Sequence, residues 1–145
     1  MGTDTNLDFW MGKTVLITGG AGFIGFHLAK KLLDTGDIKV VIIDSINDYY
    51  STELKRARLR KLGIDGHGGS DNPRLSFYEM NIADKQGMDM IFERHGIDAI
   101  IHLAAYAGVR YSLVNPRAYI DSNIIGFFNV MDNAARHHIR LFMYA

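Results

Sequence analysis

The 145-residue sequence contains no cysteine, which excludes a disulfide framework and any thiolate metal site. It has no excess of either charge: Lys+Arg and Asp+Glu both number 16, for a net charge of +0. Such balance leaves no electrostatic footprint for nucleic acid or an anionic membrane. No apolar run approaches the roughly 20 residues of a membrane span. The start, Met1-Gly2-Thr3-Asp4-Thr5-Asn6, has neither the basic beginning nor the apolar core of a signal peptide. Asn6 stands where a myristoylation pattern needs Ser or Thr, and Met11-Gly12-Lys13 offers an alternative start. The six histidines show no metal-ligand spacing. His102 reads as ending a strand in a satisfied position, and His137-His138 suit a helix C-terminus. The expectation is a cytoplasmic protein with no nucleic-acid, membrane or metal partner.

What is present suits one domain with a real core, since 48% of residues are hydrophobic and 22% charged. The chain is organised around Thr14-Val15-Leu16-Ile17-Thr18-Gly19-Gly20-Ala21-Gly22-Phe23-Ile24-Gly25. A β-branched apolar run enters a glycine-rich turn, and an amphipathic segment leaves it. That is strand, turn and helix, with the turn built for a phosphate. Gly19 permits the sharp turn, Gly22 lets backbone approach a pyrophosphate, and Gly25 lets the helix lie close to the strand.

The same alternation repeats along the chain. Strands are predicted at Lys13–Thr18, Lys39–Asp44, Arg74–Met80, Asp98–Leu103 and from Arg140 onward. Their continuous apolar runs suit burial on both faces of a parallel sheet. Helices are predicted over 22–35, 51–62, 84–95 and 117–138. The first takes its apolar stripe from Phe23, Ile24, Leu28, Leu32 and Leu33, and the second from Leu54, Leu59 and Leu62. Gly63–Pro73 reads as a mobile surface loop and Tyr106–Pro116 as a loop. Residues 1–12 form an irregular lead-in, with Phe9 or Trp10 against the domain. The pattern implies an α/β fold, a Rossmann-like doubly wound parallel sheet of order 3-2-1-4-5. Ligands in such sheets bind beyond the carboxyl ends of the strands, where the order reverses. Thr18–Gly25, Asp44, Asn81 and Leu103–Tyr106 all fall there.

Asp44 lies 19 residues beyond Gly25. A carboxylate there accepts from ribose hydroxyls and repels a 2′-phosphate, which favours NAD over NADP. It also suits a turn aspartate. Lys55, Arg56, Arg58 and Arg60 are able to host a 2′-phosphate, but read first as a solvated helix face.

The spacing Gly19-x-x-Gly22-x-x-Gly25, with Thr18 before it and His102-Leu103-Ala104-Ala105 later, resembles the extended short-chain dehydrogenase/reductases of the NAD-dependent epimerase/dehydratase group. Gly25-Phe26-His27-Leu28-Ala29, Asp48-Tyr49-Tyr50, Ala107-Gly108-Val109-Arg110-Tyr111-Ser112 and Asn115-Pro116 narrow the resemblance to the UDP-glucuronate 4-epimerases. In that family a tightly bound NAD oxidises the sugar at C4 and returns hydride to the other face. The resemblance implies that Gly19, Gly22, Phe23 and Ile24 meet the pyrophosphate and Asp44 the ribose. Asn47 lies in a ribose-contacting loop. Asn81 and Ile82 sit at the adenine, with Asn where the family usually has Asp. Leu103, Ala104, Ala105 and Tyr106 form the wall beside the cofactor. Asn123 either flanks the nicotinamide half or satisfies buried backbone. Arg110 either pairs with the sugar carboxylate or is a surface arginine.

The resembled chemistry needs Tyr with Lys four residues later, and a Ser or Thr on the sugar hydroxyl. None of the seven tyrosines has a lysine at that spacing. The resemblance thus implies that 13–145 is an incomplete NAD-binding domain, cut after the start of the fifth strand, without catalytic residues or the sugar-binding part. The expected function is the cofactor part of a nucleotide-sugar epimerase, inactive alone, with a homo-oligomer formed through the exposed fifth strand. The alternatives are a catalytically silent nucleotide-binding or interaction module, and the cofactor half of a UDP-glucose 4-epimerase or a sugar-nucleotide dehydratase.

Overall fold

A computed structural model describes residues 8–145. In chain order it comprises β1 (Thr14–Thr18), α1 (Phe23–Thr35), β2 (Lys39–Asp44), α2 (Thr52–Leu62), β3 (Leu75–Glu79), α3 (Lys85–Arg94), β4 (Ala99–His102), α4 (Val109–Ser112) and α5 (Pro116–Tyr119). A π-helical segment (Ile120–Gly126), α6 (Phe127–Arg136) and β5 (Leu141–Tyr144) follow. The strands form one parallel sheet of order β3-β2-β1-β4-β5, as the alternation predicts. Thr18 lies opposite Ile43 on one side and His102 on the other, so three carboxyl ends finish level.

Period-2 alternation divides the strand side chains between two cores. Val15, Ile17, Val40 and Ile42 pack under α1 and α2 with Phe26, Ala29, Leu33 and Leu59. Leu16, Val41, Ile43 and Ile100 pack under α3 and α6 with Met88, Ile91, Phe92 and Val130. Each fully buried Leu or Ile contributes about 1.5–3 kcal/mol. Helix ends are secured by side chains: the Ser51 hydroxyl accepts from the Leu54 N–H at 3.2 Å, and the Asp84 carboxylate from the Gly87 N–H at 3.1 Å. The Arg74 guanidinium closes the end of α1 on the carbonyls of Leu33, Gly36 and Ile38.

Several expectations need correction. Phe23 and Ile24 are exposed rather than part of the buried stripe, which runs through Phe26, Ala29, Leu32 and Leu33. The first turn of α1 stands beyond the end of the sheet and has no strand to pack on. Leu54 likewise faces outward, and Lys55 takes the inward position. The 63–73 loop is tied rather than loose: Asp65 Oδ1 accepts from the N–H groups of His67 and Gly69 at 2.8 and 2.9 Å. Ile64 is buried and bridges to Ser70. Tyr106–Pro116 is not all loop, because α4 forms within it and α5 begins at Pro116, capped by Asn115. The long helix of 117–138 is interrupted by the π-helical segment and ends at Arg136. Of the lead-in, Trp10 packs against the core and Phe9 is exposed; its residues 1–7 lie outside the described residues. No helix among the described residues is long and apolar enough to cross a membrane.

Candidate functional site

The level carboxyl ends of β1, β2 and β4 open into a cleft of about 250 Å³, whose lining includes Gly19, Gly22, Asp44, Asn47, Asn81, Ile82 and Leu103–Ala107. Gly19 forms its floor with φ +72°, a conformation that strains L side chains. A Cβ there would lie 2.9 Å from the Ala104 nitrogen, so the turn approaches the end of β4 too closely for any side chain. The Gly19 N–H donates to the Ile43 carbonyl at 2.7 Å, and the Gly22 N–H to the Gly19 carbonyl at 3.1 Å. Gly22 then precedes α1 without a side-chain cap. The first N–H groups of a helix have no intrahelical acceptor, and here they present a partial positive charge at the cleft.

Asp44 takes the turn role and also faces the cleft. It is buried, and its two oxygens accept from the Ala21 and Ile46 N–H groups at 3.0 and 2.9 Å. It therefore shapes the glycine turn, and it lines the cleft with a lone pair still free on each oxygen. Ile46 is held at φ +48°, rare for a β-branched residue. Asn47 Oδ1 and its carbonyl accept from Lys55 Nζ at 2.9 and 2.7 Å.

The opposite wall is fixed by Thr18 and Asn123. The Thr18 hydroxyl oxygen accepts from the N–H groups of Leu103 and Ala104, both at 3.1 Å. With both lone pairs used, its proton is directed to His102 Nδ1 at 2.7 Å, which fixes that nitrogen as unprotonated. His102 is buried beside Phe127 and Phe142, and burial lowers its pKa to about 4. It is thus a neutral structural histidine, as its place at a strand end suggests. Asn123 holds Tyr106 by both backbone groups: Oδ1 accepts from its N–H at 2.9 Å and Nδ2 donates to its carbonyl at 3.0 Å. Its amide serves the backbone in this structure and is not part of the cleft lining. Asn81 spends one acceptor on the Ala83 N–H at 2.9 Å and lines the cleft beside Ile82.

Two groups of sequence candidates fall outside the cleft. The Phe23 and Ile24 side chains are not in the lining, which leaves only their N–H groups for an anion. Arg110 is exposed on α4, outside the lining, and forms no ion pair among the described residues. Conversely, the cleft recruits residues that sequence reasoning passed over. Ser122 is buried and lines it from the π-helical segment. Tyr49 and Tyr50 line it from the β2–α2 loop, and Tyr49 meets Tyr106 and Tyr111 at ring distances of 5.7 and 5.0 Å. Tyr119 donates its hydroxyl to the Ala107 and Gly108 carbonyls at 3.0 and 2.5 Å. Burial, then Tyr111 and Asp48, raise the Tyr106 pKa. The basic run is not a uniformly solvated face. Lys55 is buried in the cleft, Arg58 donates to the Ala21 carbonyl at 3.2 Å, and Arg56 pairs with Glu79 through two 2.7 Å bonds. The clue available in sequence was that Tyr49, Tyr50, Tyr106 and Tyr111 all follow predicted strand ends.

Known proteins resemble this chain over most of its length. The GDP-mannose 4,6 dehydratase family matches residues 16–144. Protein CapI of Staphylococcus aureus is 43% identical over 131 residues, 90% of this chain and 36% of that protein. The UDP-glucuronate 4-epimerase of Thermodesulfobacterium geofontis is 43% identical over 117 residues, 81% of this chain and 34% of that protein. A UDP-glucose-4-epimerase from Stenotrophomonas maltophila, solved with bound NAD and formylated UDP-arabinopyranose, superposes with TM-score 0.70 at 30% identity. That match covers 91% of this chain and 36% of the solved one. The chain thus spans about a third of the length of the relatives it matches. Because the family match runs over residues 16–144, nearly the whole chain, the chain belongs to the GDP-mannose 4,6 dehydratase family.

Proposed function

We propose that residues 13–145 form the NAD-holding domain of a nucleotide-sugar epimerase of the UDP-glucuronate 4-epimerase type, working in the cytoplasm. The observation that carries this reading is the side-chain-free turn at Gly19 and Gly22, opposite the Asp44 carboxylate in one cleft. The residues fit the cofactor. The start of α1 offers N–H donors to a pyrophosphate, Asp44 retains acceptor capacity for ribose hydroxyls, and Met80, Asn81 and Ile82 offer a mixed wall to an adenine. The bound NAD would supply the hydride acceptor, and this chain's own residues orient it. Relatives named as UDP-glucuronate 4-epimerases and one solved with NAD support the assignment. Arg110 is the residue of this chain suited to a sugar carboxylate by charge and shape.

Calorimetric titration of the purified chain tests the reading. NAD is expected to bind, with Asp44→Ala weakening it about 10-fold or more through lost charged hydrogen bonds. Unchanged affinity would remove Asp44 from the site. The chain alone is expected to show no epimerisation of UDP-glucuronate, since it carries no Tyr-x-x-x-Lys, and measurable turnover would overturn that part. A further expectation concerns assembly. β5 occupies one edge of the sheet, with Met143 and Tyr144 exposed, and an exposed apolar edge is a template for pairing. Light scattering at high protein concentration should therefore report a dimer or larger species; a monodisperse monomer would count against it.

A further inference from the structure

The peptide group joining Ala21 to Gly22, within the glycine turn, is fixed at both of its polar atoms. Its N–H, on Gly22, donates to the Gly19 carbonyl at 3.1 Å. Its carbonyl, on Ala21, accepts from Arg58 Nη1 at 3.2 Å, a side chain from α2. Among the described residues no backbone N–H donates to that carbonyl. It stands four residues before Gly25, where a helix begun one turn earlier would use it as an acceptor. The Phe26 N–H is the first in α1 to be taken by the turn, by the Gly22 carbonyl at 3.0 Å. Those of Phe23, Ile24 and Gly25 have no partner among the described residues. Neither Ala21 nor Arg58 lines the cleft, so the carbonyl is engaged outside it. Arg58 forms no ion pair among the described residues. Its guanidinium lies 5.9 Å from the centre of the Phe23 ring. The exposed Phe23 side chain thus has a contact of its own, against the group that holds the turn.

We propose that Arg58 is a positioning residue for a diphosphate: it holds the Ala21 carbonyl and so keeps the Phe23, Ile24 and Gly25 N–H groups free for the anion, without touching the anion itself. This rests on the nucleotide reading above. A peptide group turned the other way would aim its carbonyl dipole at the incoming charge, or spend it on the Gly25 N–H. A hydrogen bond from a cation to a carbonyl is stronger than one between neutral groups, which suits it to holding one peptide orientation. Asp44 fixes the preceding peptide group through the Ala21 N–H at 3.0 Å. The two side chains therefore act on one residue from opposite polarities, the acid on its N–H and the base on its carbonyl.

The test is an amide NMR titration of the whole chain with ADP and with adenosine, for the wild type, Arg58→Met and Arg58→Lys. Arg58→Met should weaken ADP about 10-fold, the worth of a hydrogen bond to a charged group, and leave adenosine within about 2-fold. Before any ligand is added, its Phe23, Ile24 and Gly25 amide signals should already be displaced from those of the wild type. Arg58→Lys keeps a charged donor for the carbonyl and should recover most of the ADP affinity and the wild-type amide positions. An equal loss for both probes in Arg58→Met would mean a general structural role and would overturn the proposal. A loss of ADP affinity with unmoved ligand-free amides would mean that Arg58 acts on the diphosphate by charge alone, and would overturn it as well. If Arg58→Met does not fold, Phe23→Ala carries the same test by uncovering the guanidinium: ADP should weaken at least about 3-fold against adenosine, and an unchanged ratio overturns the proposal. Failure of both probes to bind the wild type would overturn this inference together with the nucleotide reading beneath it. ADP binding that Arg58→Met leaves unaltered would overturn this inference and spare that reading.

Discussion

Gly25→Ala should destabilise the domain by about 3 kcal/mol and remove nucleotide binding with it. The added methyl group would stand 2.4 Å from the Gly19 carbonyl oxygen and 2.7 Å from the Gly20 Cα. Both obstacles are backbone, so no rotamer change relieves them. The turn can yield only by moving away from Ala104 and from the Asp44 carboxylate, which hold it from two sides. Alanine is the better helix former by about 1 kcal/mol, and that gain is smaller than the clash. Urea unfolding measures the effect as a lower midpoint, set against a total stability of about 5–15 kcal/mol for a domain of this kind. Gly96→Ala is the control, because a Cβ there meets nothing within 4 Å; it should be neutral. A wild-type midpoint for Gly25→Ala would show that the turn is softer than its contacts imply.

The second large effect is a loss of stability in mild acid centred on His102. Its folded pKa is lowered from 6.5 to about 4 by burial, so between those values the unfolded chain binds a proton that the folded chain refuses. The contribution is fully present above pH 6.5 and falls as the pH drops, reaching about 3 kcal/mol lost near pH 4. Protonation would also place a second donor against the Thr18 hydroxyl, whose lone pairs already serve Leu103 and Ala104. His95 shifts in the same direction, through burial first and Arg94 second. His102→Asn keeps an acceptor near Thr18 and cannot protonate in this range. The urea midpoint of that variant, followed from pH 7 to 4, should fall less steeply than that of the wild type. Parallel slopes would mean that His102 is not the group responsible.

The architecture was legible because each strand is a short apolar run and each crossover is a helical period. Those two signals depend on neighbours in the chain. Asp44 was legible for the same reason, as the acid at a strand end at a set distance from a glycine turn. Lys55 was not. It sits in a run with Arg56, Arg58, Arg60 and Lys61, and nothing local distinguishes the one that faces inward. The π-helical segment was equally hidden. A shifted backbone hydrogen-bond register leaves no composition signal, yet it puts Ser122 against the cleft while Asn123, the next residue, reaches Tyr106. Phe23 and Ile24 were misplaced because helical periodicity says which face a residue lies on, and not whether a strand extends far enough to cover it.

The Thr18–His102 bond joins residues 84 apart in sequence, and this has a consequence in time. β1, α1 and β2 can assemble from contacts among neighbours. β4 reaches β1 only after a long loop has closed, and such closures slow folding through lost chain entropy. A growing chain thus possesses the glycine turn and its aspartate well before it possesses the wall that faces them. Until that seam closes, the Leu103 and Ala104 N–H groups have no Thr18 to meet, and the chain has half a binding site whose order of completion is written into its topology.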